Sequence, residues 1–113
     1  MIHVVAVITA KPGQRENILG PFRANVPAVR AEKGCIEYGA AIDTEGAPPI
    51  QTVYGPDTFV VIEKWESIDA LADFTYRTGH VELLRRRRDF FEAPSQPILC
   101  LWWIEEGTIP TVE

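Results

Sequence analysis

Two residues that can carry charge, His80 and Arg87, lie on what the sequence predicts to be the apolar side of a helix. When residues 78–91 are wrapped at roughly 100° per residue, the large apolar side chains gather on one side: Leu83, Leu84, Phe90 and Phe91. His80 and Arg87 fall near the middle of that side, roughly 10 Å apart along the axis. Both are therefore predicted to point inward, where they could line one pocket and contact a substrate at two places. Buried charge is costly unless it is paired or used.

Two structural alternatives compete with this functional interpretation. A single histidine on an apolar helix face is commonly a core residue with its hydrogen bonds satisfied. Arg87 could pair with Glu63, an inward-facing carboxylate on a predicted strand, because a buried carboxylate needs a partner to stay ionised. The other arginines of the run 85–88 have acidic residues four positions away, which predicts ordinary surface ion pairs.

Length and composition predict one domain over residues 1–105, followed by a C-terminal tail over 106–113. The chain has 113 residues, of which 46% are hydrophobic, enough for a modest core. The net charge of −5 argues against nucleic acid as a partner. No run of about 18 apolar residues predicts a membrane span, and the N-terminus lacks a signal-peptide pattern, so we expect a cytoplasmic protein. Cys35 and Cys100 are predicted to act as small apolar residues.

The hydrophobic pattern predicts the element order strand, helix, strand, strand, helix, strand. The predicted ranges of these elements are, in order, 2–10, 14–31, 35–43, 58–65, 67–76 and 98–104. The helix 78–91 comes before the last strand. Pro21 and Pro27 predict a kink in the first helix or its division into two. The segment 44–57, rich in glycine and proline, is predicted to be a loop: either a lid over a pocket or an ordinary surface loop. Ser67 is a candidate N-cap.

This order predicts an α+β fold with a ferredoxin-like βαββαβ antiparallel sheet and its helices on one face. The first strand, 2–10, is apolar on both faces and is predicted to be buried on both, as is the last strand. The sheet face without helices would otherwise meet water, and large apolar patches rarely do. A homodimer that covers this face is therefore expected.

Several segments, in this order along the chain, resemble the antibiotic biosynthesis monooxygenase domain: ITAKPG at 8–13, GCIEY at 34–38, FVVIEKWES at 59–67 and GH at 79–80. The Glu-x-Trp-x-Ser segment followed by the histidine is the strongest part of the match. The C-terminal half also resembles an uncharacterised family thought to share this fold, through FTYR at 74–77, LRRRR at 84–88, WW at 102–103 and GTIPT at 107–111.

The first resemblance implies a dimeric α+β barrel with a pocket between sheet and helices, and a monooxygenase that oxidises a small aromatic or quinol substrate with O2 and no cofactor. In that interpretation Arg87 stabilises the substrate oxyanion and His80 accepts its proton. The expected substrate-binding residues are aromatic or acidic side chains near the pocket: Trp65, Tyr38, Phe74 and Glu63.

Two other functions stay open at this stage. A non-catalytic barrel could bind a small hydrophobic ligand or serve as an interaction module. Haem-degrading relatives of the fold use an asparagine on the first strand, and residues 2–10 contain none. The sequence also lacks a convincing cluster of metal ligands, so no metal is expected.

Overall fold

A computed structural model describes residues 1–77, 88–92 and 96–104 of the chain. Its elements are β1 (Ile2–Thr9), α1 (Arg15–Arg30), β2 (Cys35–Ala41), β3 (Thr58–Trp65), α2 (Ile68–Arg77), a 3-10 turn (Arg88–Phe90) and β4 (Ile98–Trp102). The four strands form one antiparallel sheet in the order β2-β3-β1-β4. The predicted α+β, ferredoxin-like βαββαβ arrangement is confirmed.

Strand β1 is buried on one face only. Its even-numbered residues from Ile2 to Ile8 are buried under the helices, whereas the odd-numbered residues from His3 to Thr9 are half-buried. The prediction of burial on both faces is therefore wrong for the single chain. Edge strand β4 is still more open, with Leu99 51% and Leu101 45% exposed. The apolar second face is present, but the described residues leave it half-buried on β1 and exposed on β4.

Helix α1 is one continuous helix through both of its prolines, so division into two helices is not observed. Pro21 and Pro27 each lack a backbone donor, and each therefore removes one helical hydrogen bond. Burial of Ile18, Leu19 and Val29 against the sheet offsets those losses. The packing of one face thus maintains the helix where local propensity opposes it.

The connections between elements largely follow the sequence signals. Segment 44–57 contains neither helix nor strand, as predicted. The carboxylate of Asp43 holds this loop closed, since it accepts hydrogen bonds from the backbone N–H of Tyr54 at 3.0 Å and of Gly55 at 2.7 Å. Ser67 caps α2, with its Oγ accepting from the N–H of Ala70 at 3.1 Å.

The predicted helix 78–91 does not extend to Phe91. Residues 78–87 lie outside the described part of the chain, but Phe91 forms a bridge with Ala10 instead of a helical turn. On either side of it, Lys11 donates to the carbonyl of Phe90 and Glu92 donates to the carbonyl of Thr9. Pairing with the end of β1 thus replaces helical hydrogen bonds. Phe91 is nevertheless buried, as its apolar character predicted.

Within residues 1–77, 88–92 and 96–104, no helix is both long and apolar enough to cross a membrane. The predicted tail 106–113 lies outside the described residues.

Candidate active site

The candidate site begins with a row of side chains on the face of the sheet that carries the helices. Glu63 and Trp65 lie two residues apart on β3 and so project to the same face. In the antiparallel register, Tyr38 of β2 is the direct partner of Glu63, and Cys35 is the direct partner of Trp65. Directly opposed residues have closely spaced side chains, so the strand pairing places the phenol of Tyr38 beside the carboxyl group.

Four aromatic rings meet here, two from the strands β2 and β3 and two from the helices α1 and α2. We call these residues, Phe22, Tyr38, Trp65 and Phe74, the aromatic cluster. Phe74 of α2 stacks on Trp65 with ring centroids 5.0 Å apart. Phe74 also meets Tyr38 edge to face at 6.1 Å, and Phe22 of α1 stacks on Tyr38 at 5.1 Å. These separations fall in the range of favourable aromatic pairs. The aromatic cluster therefore forms one packed layer between the helices and the sheet.

Glu63 is the acidic residue buried beside the aromatic cluster. It is 6% exposed, and its Oε1 accepts a hydrogen bond from Nε1 of Trp65, which is fully buried, at 2.9 Å. Burial raises the pKa of the Glu63 carboxyl, and the hydrogen bond from Trp65 opposes that rise only in part. A carboxyl group with a raised pKa in an apolar interior is a recognised marker of functional sites.

Tyr38 adds a second polar group to the same interior. Burial, reinforced by the neighbouring carboxyl of Glu63, raises the pKa of Tyr38 well above its ordinary value. Its hydroxyl therefore stays protonated and remains a hydrogen-bond donor. The backbone carbonyl of Tyr38 accepts from Nε of Arg30 at 2.9 Å, which ties the end of α1 to β2.

Trp102 approaches the same region from β4. Ile2 pairs with Trp65 on one side and with Trp102 on the other, so the two indoles flank one residue of β1. Trp102 packs against the buried residues that include Trp65 and Phe74. Its Nε1 is buried and has no hydrogen-bond partner among the described residues.

Of the six residues predicted for the site, the structure brings four together: Trp65, Tyr38, Phe74 and Glu63. His80 and Arg87 lie outside the described residues, so their roles stay predictions. The same applies to the alternative in which Arg87 pairs with Glu63. Within residues 1–77, 88–92 and 96–104, no three metal-ligating side chains lie close enough together to form a metal site.

Phe22 is the member of the aromatic cluster that the sequence analysis did not assign to the site. A sequence signal for Phe22 exists, because it is the one aromatic residue in the apolar stripe of α1 that begins at Ile18 and ends at Val29. The stripe does not indicate which strand packs against Phe22. The ring lies against Tyr38 and also 6.0 Å from Phe59, and it thereby joins the site to the rest of the core.

Part of the chain is similar in sequence to a known protein. Over 70 residues the chain is 40% identical to "Probable quinol monooxygenase YgiN" of Escherichia coli K12. The aligned segment covers 60% of this chain and 66% of that relative, slightly less than two thirds of its length.

Solved structures share the fold. Protein PA3566 of Pseudomonas aeruginosa is 25% identical, with a TM-score of 0.72 over 91% of this chain and 93% of that one. A structure named antibiotic biosynthesis monooxygenase is 21% identical, with a TM-score of 0.71 over 97% of this chain and all of that chain. The resemblance to the antibiotic biosynthesis monooxygenase domain is thus confirmed at the level of fold.

The resemblance of the C-terminal half to an uncharacterised family is also confirmed. The matching family model covers residues 24–113, which include β2, β3, α2 and β4 together with the C-terminal part of α1. That span contains Tyr38, Glu63, Trp65 and Phe74. The chain therefore belongs to the family described as "Domain of unknown function (DUF3291)".

Proposed function

We propose that this protein is a cofactor-independent monooxygenase that oxidises a small aromatic or quinol substrate with O2. The observation that carries the proposal is the aromatic cluster beside a buried carboxyl group, where Phe74 stacks on Trp65 and Trp65 binds Glu63. Flat aromatic substrates bind to aromatic side chains through stacking and apolar burial. The 40% identity to a protein named as a quinol monooxygenase supports the same chemistry.

The reaction requires little from the protein. In a quinol with a free ring carbon, one atom of O2 enters that carbon as a hydroxyl group and the other leaves as water, so that quinol and O2 become hydroxyquinone and water. The electrons come from the substrate once it has lost a proton. The protein has to accept that proton, stabilise the oxyanion and exclude bulk water. We assign proton acceptance to His80 and oxyanion stabilisation to Arg87, with Trp65, Tyr38 and Phe74 as the walls.

The proposal includes a homodimer that covers the open face of the sheet. Half-buried Val5 and Val7 lie on this face beside the exposed apolar residues of its neighbours, Ile62, Leu99 and Leu101. A continuous apolar face on a small chain is commonly an interface. Ile62→Lys is expected to shift the mass measured by light scattering from dimer to monomer, whereas Ile68→Lys, at an exposed site on α2, is not.

Oxygen uptake with a panel of hydroquinones and naphthohydroquinones, corrected for autoxidation, tests the catalytic proposal on chelator-treated protein. Phe74→Leu removes the ring that stacks on Trp65 and is expected to lower kcat/KM roughly three- to tenfold, the range that one aromatic pair contributes. Tyr76→Leu is the matched control, because Tyr76 lies two residues further on α2 and is 83% exposed.

Arg87→Ala separates catalysis from binding alone. If Arg87 stabilises the oxyanion, this variant loses on the order of 10²–10³ in kcat. No oxygen uptake with any substrate of the panel, together with an effect of Arg87→Ala on stability alone, would refute the monooxygenase proposal. Binding of the same aromatic compounds without turnover would instead identify a ligand-binding protein.

A further inference from the structure

The carboxyl group of Glu63 is the buried ionisable group to which the proposed reaction assigns no chemical step. Its neighbours in the sheet are Val4 on β1 and Tyr38 on β2, and Trp65 is the described residue that binds it. An isolated carboxylate in such surroundings is expensive, whereas a neutral acid with a hydrogen bond is not. The protonation state of Glu63 and the direction of its O–H therefore affect which ligands the site can bind.

We propose that Glu63 is a neutral carboxylic acid that donates a hydrogen bond to the oxygen of a bound phenol or quinol. This inference rests on the proposed function, because it assigns to Glu63 a contact with the substrate of that reaction. The ligands that Glu63 would recognise are aromatic compounds with an oxygen acceptor on the ring.

The indole of Trp65 determines which oxygen of the acid can donate. An indole N–H is a donor only, so the atom it contacts, Oε1 of Glu63, has to act as an acceptor. In a protonated acid the proton then lies on Oε2, because the carbonyl oxygen of an acid is a much better hydrogen-bond acceptor than its hydroxyl oxygen. Trp65 is thus a positioning residue: among the described residues it is the one that hydrogen-bonds to this carboxyl group, and it leaves the O–H on Oε2 available as a donor.

The charges around Glu63 favour the neutral form. From β2, Tyr38 and Cys35 add no positive charge, and burial raises the pKa of both. From α1, the guanidinium of Arg30 is bound to the backbone carbonyl of Tyr38. The side chains that face Glu63 from β1 and α2 are apolar, and no cation among the described residues forms an ion pair with it.

A neutral acid suits the site chemically. In a dry interior, one strong donor aimed at a phenolic oxygen stabilises charge that develops there without the cost of reorganising water. Neutral carboxylic acids with this task are known in other enzymes. The alternative is an ionised Glu63 paired with Arg87, and the two arrangements predict opposite results for one substitution.

Glu63→Gln is that substitution. The amide oxygen can still accept from Trp65, and the amide N–H2 can replace the acid O–H as a donor. The matched variant Glu63→Leu keeps the approximate size and removes both functions. If Glu63 donates as a neutral acid, Glu63→Gln binds a redox-inert phenol such as 2-naphthol within about threefold of the native protein, and Glu63→Leu binds it about tenfold more weakly, the effect of one hydrogen bond.

Infrared difference spectroscopy supplies a readout that needs no turnover. The native protein at neutral pH is expected to show the carbonyl band of a protonated carboxylic acid, absent from Glu63→Gln and shifted when naphthol binds. Any of four results would overturn the inference: no such band, equal weakening in both variants, no effect of Glu63→Leu on binding, or failure of the native protein to bind naphthol. A band and binding without oxygen uptake would refute the monooxygenase and leave the role of the acid intact.

The pH dependence of stability checks the protonation state independently. Because burial raises the pKa of Glu63 in the folded state, folding retains a proton that the unfolded chain releases above about pH 4.3. The stability that Glu63 contributes is therefore full below that pH and is lost as pH rises through its folded-state pKa. Glu63→Gln lacks this term, so its stability relative to the native protein should increase with pH across this window. Tyr38 and Cys35 are present in both proteins, and their raised pKa values keep both groups protonated across this window. A stability difference that does not change with pH would contradict a raised pKa.

Discussion

Replacing Gly34 by alanine is expected to lower the free energy of unfolding by about 2–5 kcal/mol, and two separate costs make up this value. Gly34 has a φ of +83°, where an alanine costs roughly 1–2 kcal/mol. The added Cβ would also lie 2.6 Å from Cβ of Ala70 on α2, an overlap of two atoms that cannot rotate away. Overpacking of this kind costs roughly 1–3 kcal/mol.

Gly13→Ala separates these two costs. Gly13 has a comparable φ of +76°, but an added Cβ meets nothing within 4 Å. It should lose only the conformational cost, about 1–2 kcal/mol. Urea unfolding followed by far-UV circular dichroism measures both variants. If Gly34→Ala is no more destabilising than Gly13→Ala, Ala70 does not pack against Gly34 as described.

A double-mutant cycle with Ala70→Gly isolates the contact itself. Ala70→Gly alone costs about 1 kcal/mol as a glycine inside a helix. Added to Gly34→Ala, it removes the overlapping atom, so the pair should be more stable than the sum of the single effects by about 1–3 kcal/mol. The clash also bears on the site, since Ala70 lies one turn before Phe74, which stacks on Trp65. Gly34→Ala should therefore weaken naphthol binding, and the double variant should restore it.

Three further changes test other parts of the structure. Ser67→Ala removes the N-cap of α2 and should cost about 1 kcal/mol by urea unfolding, with Ser67→Asp as the variant that restores the cap. Trp65→Phe removes the N–H that binds the carboxyl of Glu63, so the pKa of Glu63 should rise further, visible as persistence of its acid infrared band to higher pH. Asp43→Ala removes the acceptor for Tyr54 and should speed amide exchange within residues 44–57, whereas unchanged exchange would show that Asp43 does not close the loop.

The strands and helices could be predicted from local pattern, and the exceptions have identifiable causes. The inward direction of Glu63 was predicted correctly, because successive strand residues point to opposite sides and Glu63 shares its buried face of β3 with Val61 and Trp65. The prolines of α1 suggested a break that tertiary packing prevents. Phe91 was assigned to a helix from its periodic apolar neighbours, but Ala10, 81 residues earlier, offers it a strand partner. Such a distant partner leaves no trace in a local window.

The same distinction between local pattern and tertiary structure applies to the candidate site. The sequence by itself determined the element order and the residue types at the site, since hydrophobic period and turn residues act over a few positions. Only the tertiary structure decided that Tyr38 opposes Glu63, that Phe74 reaches Trp65 from another element, and that Trp65 binds the carboxyl group. Strand register and helix placement minimise the free energy of the whole core, which no short segment encodes.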